Sequence, residues 1–241
     1  NICLHILIYL SRVYIEMNFD GLKDTIIELL AGQKAVIDTT TFSNDMVTFE
    51  TKDDVLTLLV HLGYLTYDFY TKEVSIPNYE ISEQFASTIK VMGWSEVANS
   101  LKLSDELLKS TLNCDAEKVA ELIDKAHSDN TSILKYNDEN SLSCVISLAY
   151  YSARKSYIVE RELPAGKGFA DLIFLPRKNN SNPAMIVELK YNKSAEGAIE
   201  QIKKKQYADS LKDYSGEILL VGINYNKDTK KHDCVIEKIV K

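Results

Sequence analysis

The chain has 241 residues, 45% of them apolar and 26% charged. That is ordinary globular composition, enough for one large domain or two small ones, and it excludes a fibrous, collagen-like or wholly disordered protein. The 28 Lys and Arg against 35 Asp and Glu leave a net charge of −7, so no global positive field advertises a nucleic-acid partner and any such binding needs a local patch.

The apolar start from Ile2 to Leu10 contains His5 and falls well short of the ~20 residues needed to cross a bilayer. It has neither the basic n-region nor the small-residue cleavage site of a signal peptide. The chain opens on Asn1 rather than Met, which raises the expectation of a piece whose upstream part lies elsewhere. From Gly21 to Ala31, Leu22, Ile26, Leu29 and Leu30 recur at helical spacing and Gly32 supplies a stop. A second helix is expected from about Thr51 to Leu62, stopped by Gly63, followed by two short strands, Tyr64 to Tyr70 and Glu73 to Ile76, before Pro77. Helix followed by hairpin is the outline of a small winged-helix-like unit.

Residues Tyr79 to His127 read as an α-helical connector with a break near Gly93, where the only tryptophan, Trp94, is an expected anchor, and with Ser104 and Asp115 as N-caps. The polar stretch around residues 129–137 marks the main boundary, giving segments 1–78, 79–130 and 131–241. A helix is then expected from Asp138 to Ala153, a strand from Tyr157 to Leu163, a glycine-rich turn, and strands from Phe169 to Leu175 and Met185 to Lys190. A helix from Ser194 to about Tyr214 and strands Glu217 to Ile223 and Asp233 to Ile239 complete the chain. The order predicts a mixed α/β layer in which the Ser194 helix is the crossover between two parallel strands.

Successive strand residues point to opposite faces. Glu188 and Lys190 therefore share a face, and Asp171 sits on one face with Phe169 and Ile173, an acid inside an apolar strand that needs a partner or a metal. If the two strands pair as a hairpin, Asp171 and Glu188 converge with Lys190 beside them. Two converging carboxylates repel, and Mg²⁺ prefers a site of one or two carboxylates completed by water and phosphate oxygens. Such a cation polarises a phosphoryl oxygen and lowers the pKa of a bound water, while the Lys190 ammonium orients that water or steadies developing charge. Glu139 continues the apolar stripe of Leu142 and Ile146 and is a third candidate, with complementing the helix dipole as its plainer role. Lys193, Lys203, Lys204, Lys205 and Lys212 lie on or beside the Ser194 helix; consecutive lysines form no single stripe, and a solvated face or phosphate contacts are both open. The four histidines are scattered without metal-ligand spacing. Cys3, Cys114, Cys144 and Cys234 lie far apart with no C-x-x-C pair, which fits neither a zinc site nor a secreted framework and makes the reducing cytoplasm the expected location. Cys144 is expected in the core.

The segment Gly166-Lys167-Gly168-Phe169-Ala170-Asp171, followed after a loop by Ile186-Val187-Glu188-Leu189-Lys190, resembles the core of the PD-(D/E)XK nuclease superfamily. More narrowly, the chain from about Tyr14 resembles a bacterial family in which an AAA-ATPase-like domain precedes such a nuclease domain. Glu16 to Asp24 and the hairpin around Gly63-Tyr64-Leu65 look like the tail of the ATPase-like part. The resemblance implies a restriction-endonuclease-like fold and a Mg²⁺- or Mn²⁺-dependent hydrolase of nucleic acid, DNA first. It implies Asp171 and Glu188 as metal ligands with the Leu189 carbonyl, Lys190 as the catalytic lysine and Glu139 as the helix acid. Residues 1–78 would be the tail of the ATPase-like domain, whose upstream remainder would be a partner. Gln201 matches a glutamine that recurs near such sites and, with Lys193, Lys203 and Lys204, is a candidate for contacting nucleic acid.

Ala170 replaces the motif proline, which is not a ligand. Related nucleases often carry Q-x-x-x-Y, whereas Gln201 and Tyr207 stand six apart and would not share a helix face. No G-x-x-x-x-G-K-[ST] loop occurs, so no ATP site is expected here. The competing expectation is an inactive nucleic-acid-binding or protein-interaction module that regulates the ATPase-like part.

Overall fold

A computed structural model describes residues 19–43, 49–91, 95–130, 139–165, 168–178, 180–211 and 214–240; within these, the side chains at 90–91, 95–96, 128–130, 139–141, 162–165, 169 and 209–210 are not described. The apolar start, Gly93 with Trp94, Gly166 with Lys167, and Lys212 lie outside the described residues, as does the side chain of Glu139. The chain divides into two compact units, Asn1–Ala98 and Asn99–Lys241. Among the described residues no helix is long and apolar enough to cross a membrane.

The first unit runs α1 (Leu22–Leu30), β1 (Ala35–Val36), α2 (Lys52–His61), β2 (Thr66–Asp68), β3 (Glu73–Ser75) and α3 (Tyr79–Val91). At the start of α2, Asp54 reaches back to accept the Thr51 N–H at 2.9 Å and the Glu50 N–H at 2.9 Å, satisfying donors that a helix start leaves open. The expected hairpin is present as β2 and β3. A third strand, β1, pairs antiparallel with β3 and gives the order β1-β3-β2. Two residues are too few for a periodicity signal, and β1 is invisible in the sequence.

The second unit begins in α4 (Ser95–Leu112), which crosses the boundary between units, and continues with α5 (Ala116–Asn130), α6 (Glu139–Ala149), β4 (Tyr157–Ala165), β5 (Gly168–Pro176), β6 (Ala184–Tyr191), α7 (Ala195–Lys204), β7 (Glu217–Asn226) and β8 (Lys231–Val240). Asp115 caps α5 as expected, accepting the Lys118 N–H at 3.1 Å. Ser104 does not start a helix. It lies inside α4, where its hydroxyl donates to the Leu101 carbonyl at 2.9 Å and accepts the Ser152 N–H at 3.2 Å, a mid-helix use of serine that its capping preference conceals.

The strands form one sheet in the order β4-β5-β6-β7-β8, antiparallel throughout except for the parallel pair β6 and β7, which α7 connects. Strands β6 and β7 are buried along nearly their whole length, as central strands with covered faces must be. One face packs Leu172, Phe174, Met185, Val187 and Val221 against α5 and α6. The other packs Ile173, Ile186, Ile218 and Leu220 against Ile199 and Ile202 of α7. Cys144 is buried in α6 as expected.

The histidines are less scattered than their spacing suggests. His127 of α5 and His232 of β8 bring their ring centroids to 5.1 Å, with Tyr225 at 4.7 Å from His127. Asp124 accepts the His232 backbone N–H at 2.9 Å and lies 2.9 Å from its Nδ1, fixing α5 to the sheet edge. Burial pushes the His127 ring down to about 4 and lowers His232 as well. Free histidine titrates near ~6.5, so between about pH 6.5 and 4 the unfolded chain binds more protons, and stability is lost as pH falls through that window. The thermal midpoint is expected to hold above about pH 7 and to fall towards pH 4, with His127→Gln flattening the fall. Melting curves across that range check this, and a midpoint indifferent to pH would refute it.

Candidate active site

Strands β5 and β6 pair with Leu172 opposite Val187, Ile173 opposite Ile186 and Phe174 opposite Met185. One further step in that register sets Asp171 opposite Glu188. There the side chain replaces the ladder: Asp171 Oδ2 accepts the Leu189 backbone N–H at 2.7 Å. The expected hairpin thus brings both acids to one place, and Lys190 follows on the same face of β6.

Glu188 is 2% exposed and Lys190 7%. The Lys190 Nζ donates to Glu188 Oε1 at 2.8 Å and to the Leu189 carbonyl at 3.1 Å. Gln201 Nε2 donates to the same Glu188 Oε1. The other carboxylate oxygen, Glu188 Oε2, is buried with no hydrogen-bond partner. Burial first, and then the neighbouring charge of Asp171, push the Glu188 carboxyl up to about 7 against the pull of Lys190. A buried, half-satisfied carboxylate beside a second acid is poor for stability, and such sites are where function is sought.

Helix α7 and strands β7 and β8 support the site. Ser194 caps it by accepting the Gly197 N–H at 3.0 Å, and Asp233 of β8 accepts the Ala195 N–H at 3.1 Å. Asn224, next to Lys190 in the parallel register, donates to Asp233 Oδ1 at 3.0 Å and accepts the Lys193 N–H at 2.9 Å. Gly222 lies opposite Glu188 on β7. A β-carbon there would meet the Ala195 carbonyl oxygen at 2.3 Å, so the bare backbone is what allows α7 to lie close enough for Gln201 to reach Glu188. An isolated glycine in an apolar strand is a signal of such close approach, and it was the available clue to this position.

The long helix expected to Tyr214 is shorter. It ends at Lys204, Lys205 caps it, and Gln206 takes a left-handed conformation (φ 57°, ψ 40°) that turns the chain into a 3₁₀ segment, Tyr207–Ser210. Gln201 and Tyr207 share no helix face, as their spacing implies, yet that turn brings the two side chains together. Gln201 Nε2 also lies 3.3 Å from the Tyr207 hydroxyl, so both amide hydrogens have a use. A non-glycine residue in the left-handed region carries little sequence signal.

Of the lysines singled out, Lys203 pairs with Glu237 of β8 at 2.6 Å, Lys204 is exposed, and Lys193 gives its backbone N–H to Asn224. Glu139 occupies the first position of α6.

A divalent cation fits the donor set. Asp171 and Glu188 offer hard oxygens, the unpartnered Glu188 Oε2 is one of them, and the Leu189 carbonyl is adjacent. Among the described residues no group of three or more His, Cys, Asp or Glu side chains comes together in a way that could hold a metal ion.

Residues 137–234 match the model of a family described as the PD-(D/E)XK nuclease superfamily. No curated protein matches the chain. The matched span contains both acids, Lys190, Gln201 and the strands β4 to β7, and with the mixed five-stranded sheet flanked by helices it supports a PD-(D/E)XK nuclease domain of restriction-endonuclease-like fold in this part of the chain.

Proposed function

We propose that this domain hydrolyses phosphodiester bonds of DNA, with Mg²⁺ or Mn²⁺ held by Asp171, Glu188 and the Leu189 carbonyl. The observation that carries it is the convergence of Asp171, Glu188 and Lys190, with Glu188 Oε2 buried and unpartnered. When bound, the cation supplies a Lewis acid for a phosphoryl oxygen and an acidified water. Lys190 contributes a fixed positive charge beside Glu188 that positions the attacking water and steadies the charge developing on the phosphoryl oxygens. Gln201, donating to Glu188 Oε1, would hold that carboxylate in place and leave its other oxygen to serve as a ligand; ligands positioned this way bind metal more tightly. Glu139 belongs to the proposal as the acid of the preceding helix. Lys193, Lys203 and Lys204 belong to it as contacts to the DNA backbone. Residues 1–78 are proposed as the winged-helix-like tail of an AAA-ATPase-like part and 79–130 as a connector.

The test is cleavage of plasmid and single-stranded DNA by the full chain with Mg²⁺, Mn²⁺ or chelator. Cutting is expected only with metal, and Lys190→Ala is expected to lower the rate by about 10²-fold or more. Retained, salt-sensitive DNA binding with no cutting under any metal would replace this with a non-catalytic binding module.

A further inference from the structure

The turn from β6 into α7 is held by side chains of two other strands. Asn224 of β7 accepts the Lys193 N–H at 2.9 Å and donates to Asp233 Oδ1 at 3.0 Å, and Asp233 Oδ2 accepts the Ala195 N–H at 3.1 Å. Asn224 and Asp233 stand opposite one another in the β7 to β8 register, so their side chains share a face. On β7 that face also carries the buried Ile218 and Leu220, and Asn224 is itself 2% exposed. An amide buried beside aliphatic side chains costs stability unless its bonds are made. Asn224 is also the register neighbour of Lys190 across the parallel β6 to β7 pair.

We propose that Asn224 and Asp233 are positioning residues of the metal site, acting through Gln201. The inference rests on the nuclease reading and extends it to what sets the Glu188 carboxylate. Ser194 caps α7 from within its own turn, whereas the Asp233 bond comes from the edge strand β8 and fastens the helix to the sheet. Ala195 is thereby held on two sides, its N–H by Asp233 and its carbonyl against Gly222. Gln201 follows six residues later, about 9 Å along the helix axis, and donates to Glu188 Oε1. A helix of ten residues moves as one piece, so a start released from β7 and β8 takes Gln201 with it. The chemistry of position 224 suits this role. It must accept one bond and donate another, which an amide does. A carboxylate there would face that of Asp233 across a 3.0 Å contact and stand beside Lys190 as a rival to Glu188.

Mn²⁺ binding to the full chain, read from the paramagnetic resonance of the free ion, tests this without turnover. Asp233→Ala is expected to weaken binding about tenfold, and Gln201→Ala by a similar factor. Asn224→Leu, of similar size, drops both of its bonds and should behave like Asp233→Ala. In a chain already carrying Gln201→Ala, either change should weaken binding less than about twofold further, because the residues act in series. Asp233→Asn keeps one acceptor oxygen, should lose less, and carries the same comparison if Asp233→Ala does not fold. Unchanged Mn²⁺ affinity in Asp233→Ala or Asn224→Leu overturns the inference. So does an equal loss with and without Gln201, which would make the pair a structural tether alone. Where the inference fails, metal-dependent cutting by the wild-type chain keeps the nuclease reading standing. A wild-type chain that cuts no DNA while Mn²⁺ binding follows the expected pattern supports the inference and overturns the nuclease reading. A wild-type chain that binds no Mn²⁺ overturns both.

Discussion

Asp171→Asn is expected to abolish metal-dependent cleavage, by about 10³-fold or more, while leaving the thermal midpoint unchanged or raising it by a few degrees. The amide keeps an oxygen to accept the Leu189 N–H that Asp171 now accepts at 2.7 Å, so the β5 to β6 junction is preserved. What disappears is the negative charge that helps push Glu188 up to about 7. Relieved of it, Glu188 ionises more readily beside Lys190, and the buried pair becomes a matched one. One substitution thus separates activity from stability, as expected where a site is held in an unfavourable state for its chemistry. Cleavage, calorimetric melting and Mn²⁺ titration on the same variant decide it. Loss of activity accompanied by a collapsed midpoint would mean Asp171 is structural, and near-normal cleavage would remove it from the metal site.

The second large effect is expected at Gly222, which touches no reacting group. Gly222→Ala places a methyl at 2.3 Å from the Ala195 carbonyl oxygen and 3.1 Å from the side chains of Ala198 and Ile199. A backbone oxygen cannot rotate aside, so α7 must lift from the sheet. Overpacking of this kind costs about 3 kcal/mol, and the displaced helix carries Gln201 off Glu188. Both the denaturation midpoint and the cleavage rate should therefore fall. Normal stability with normal turnover would show that α7 has slack that the geometry does not suggest.

The acids are legible because strands impose a period of two: Asp171 within an apolar run and Glu188 two before Lys190 fall on definite faces, and the hairpin register brings them together. The crossover helix was equally legible, since a parallel pair requires one. What escaped was the geometry of endings and long-range meetings. The stop of α7 depends on Gln206 adopting a conformation that glycine or asparagine usually signals, so the meeting of Tyr207 with Gln201 beyond the helix end is not legible in their spacing. His127 and His232 meet across α5 and β8, and no local spacing reports a contact between residues so far apart in the chain. Ser104 misled for a chemical reason, because a hydroxyl that caps helices also bonds back to its own helix.

The chain order of the five-stranded sheet also sets a sequence of events during folding. Strands β4, β5 and β6 are joined through short connections and pair as neighbours, whereas β7 reaches β6 only after the whole of α7 and the turn behind it have been threaded across the sheet. Non-local parallel pairing carries the larger loop-closure cost and forms late. The two acids are therefore brought together by the local hairpin, and Gln201 arrives with the last step. In refolding, secondary structure should recover ahead of catalytic competence, the interval between them being the time the crossover takes to dock.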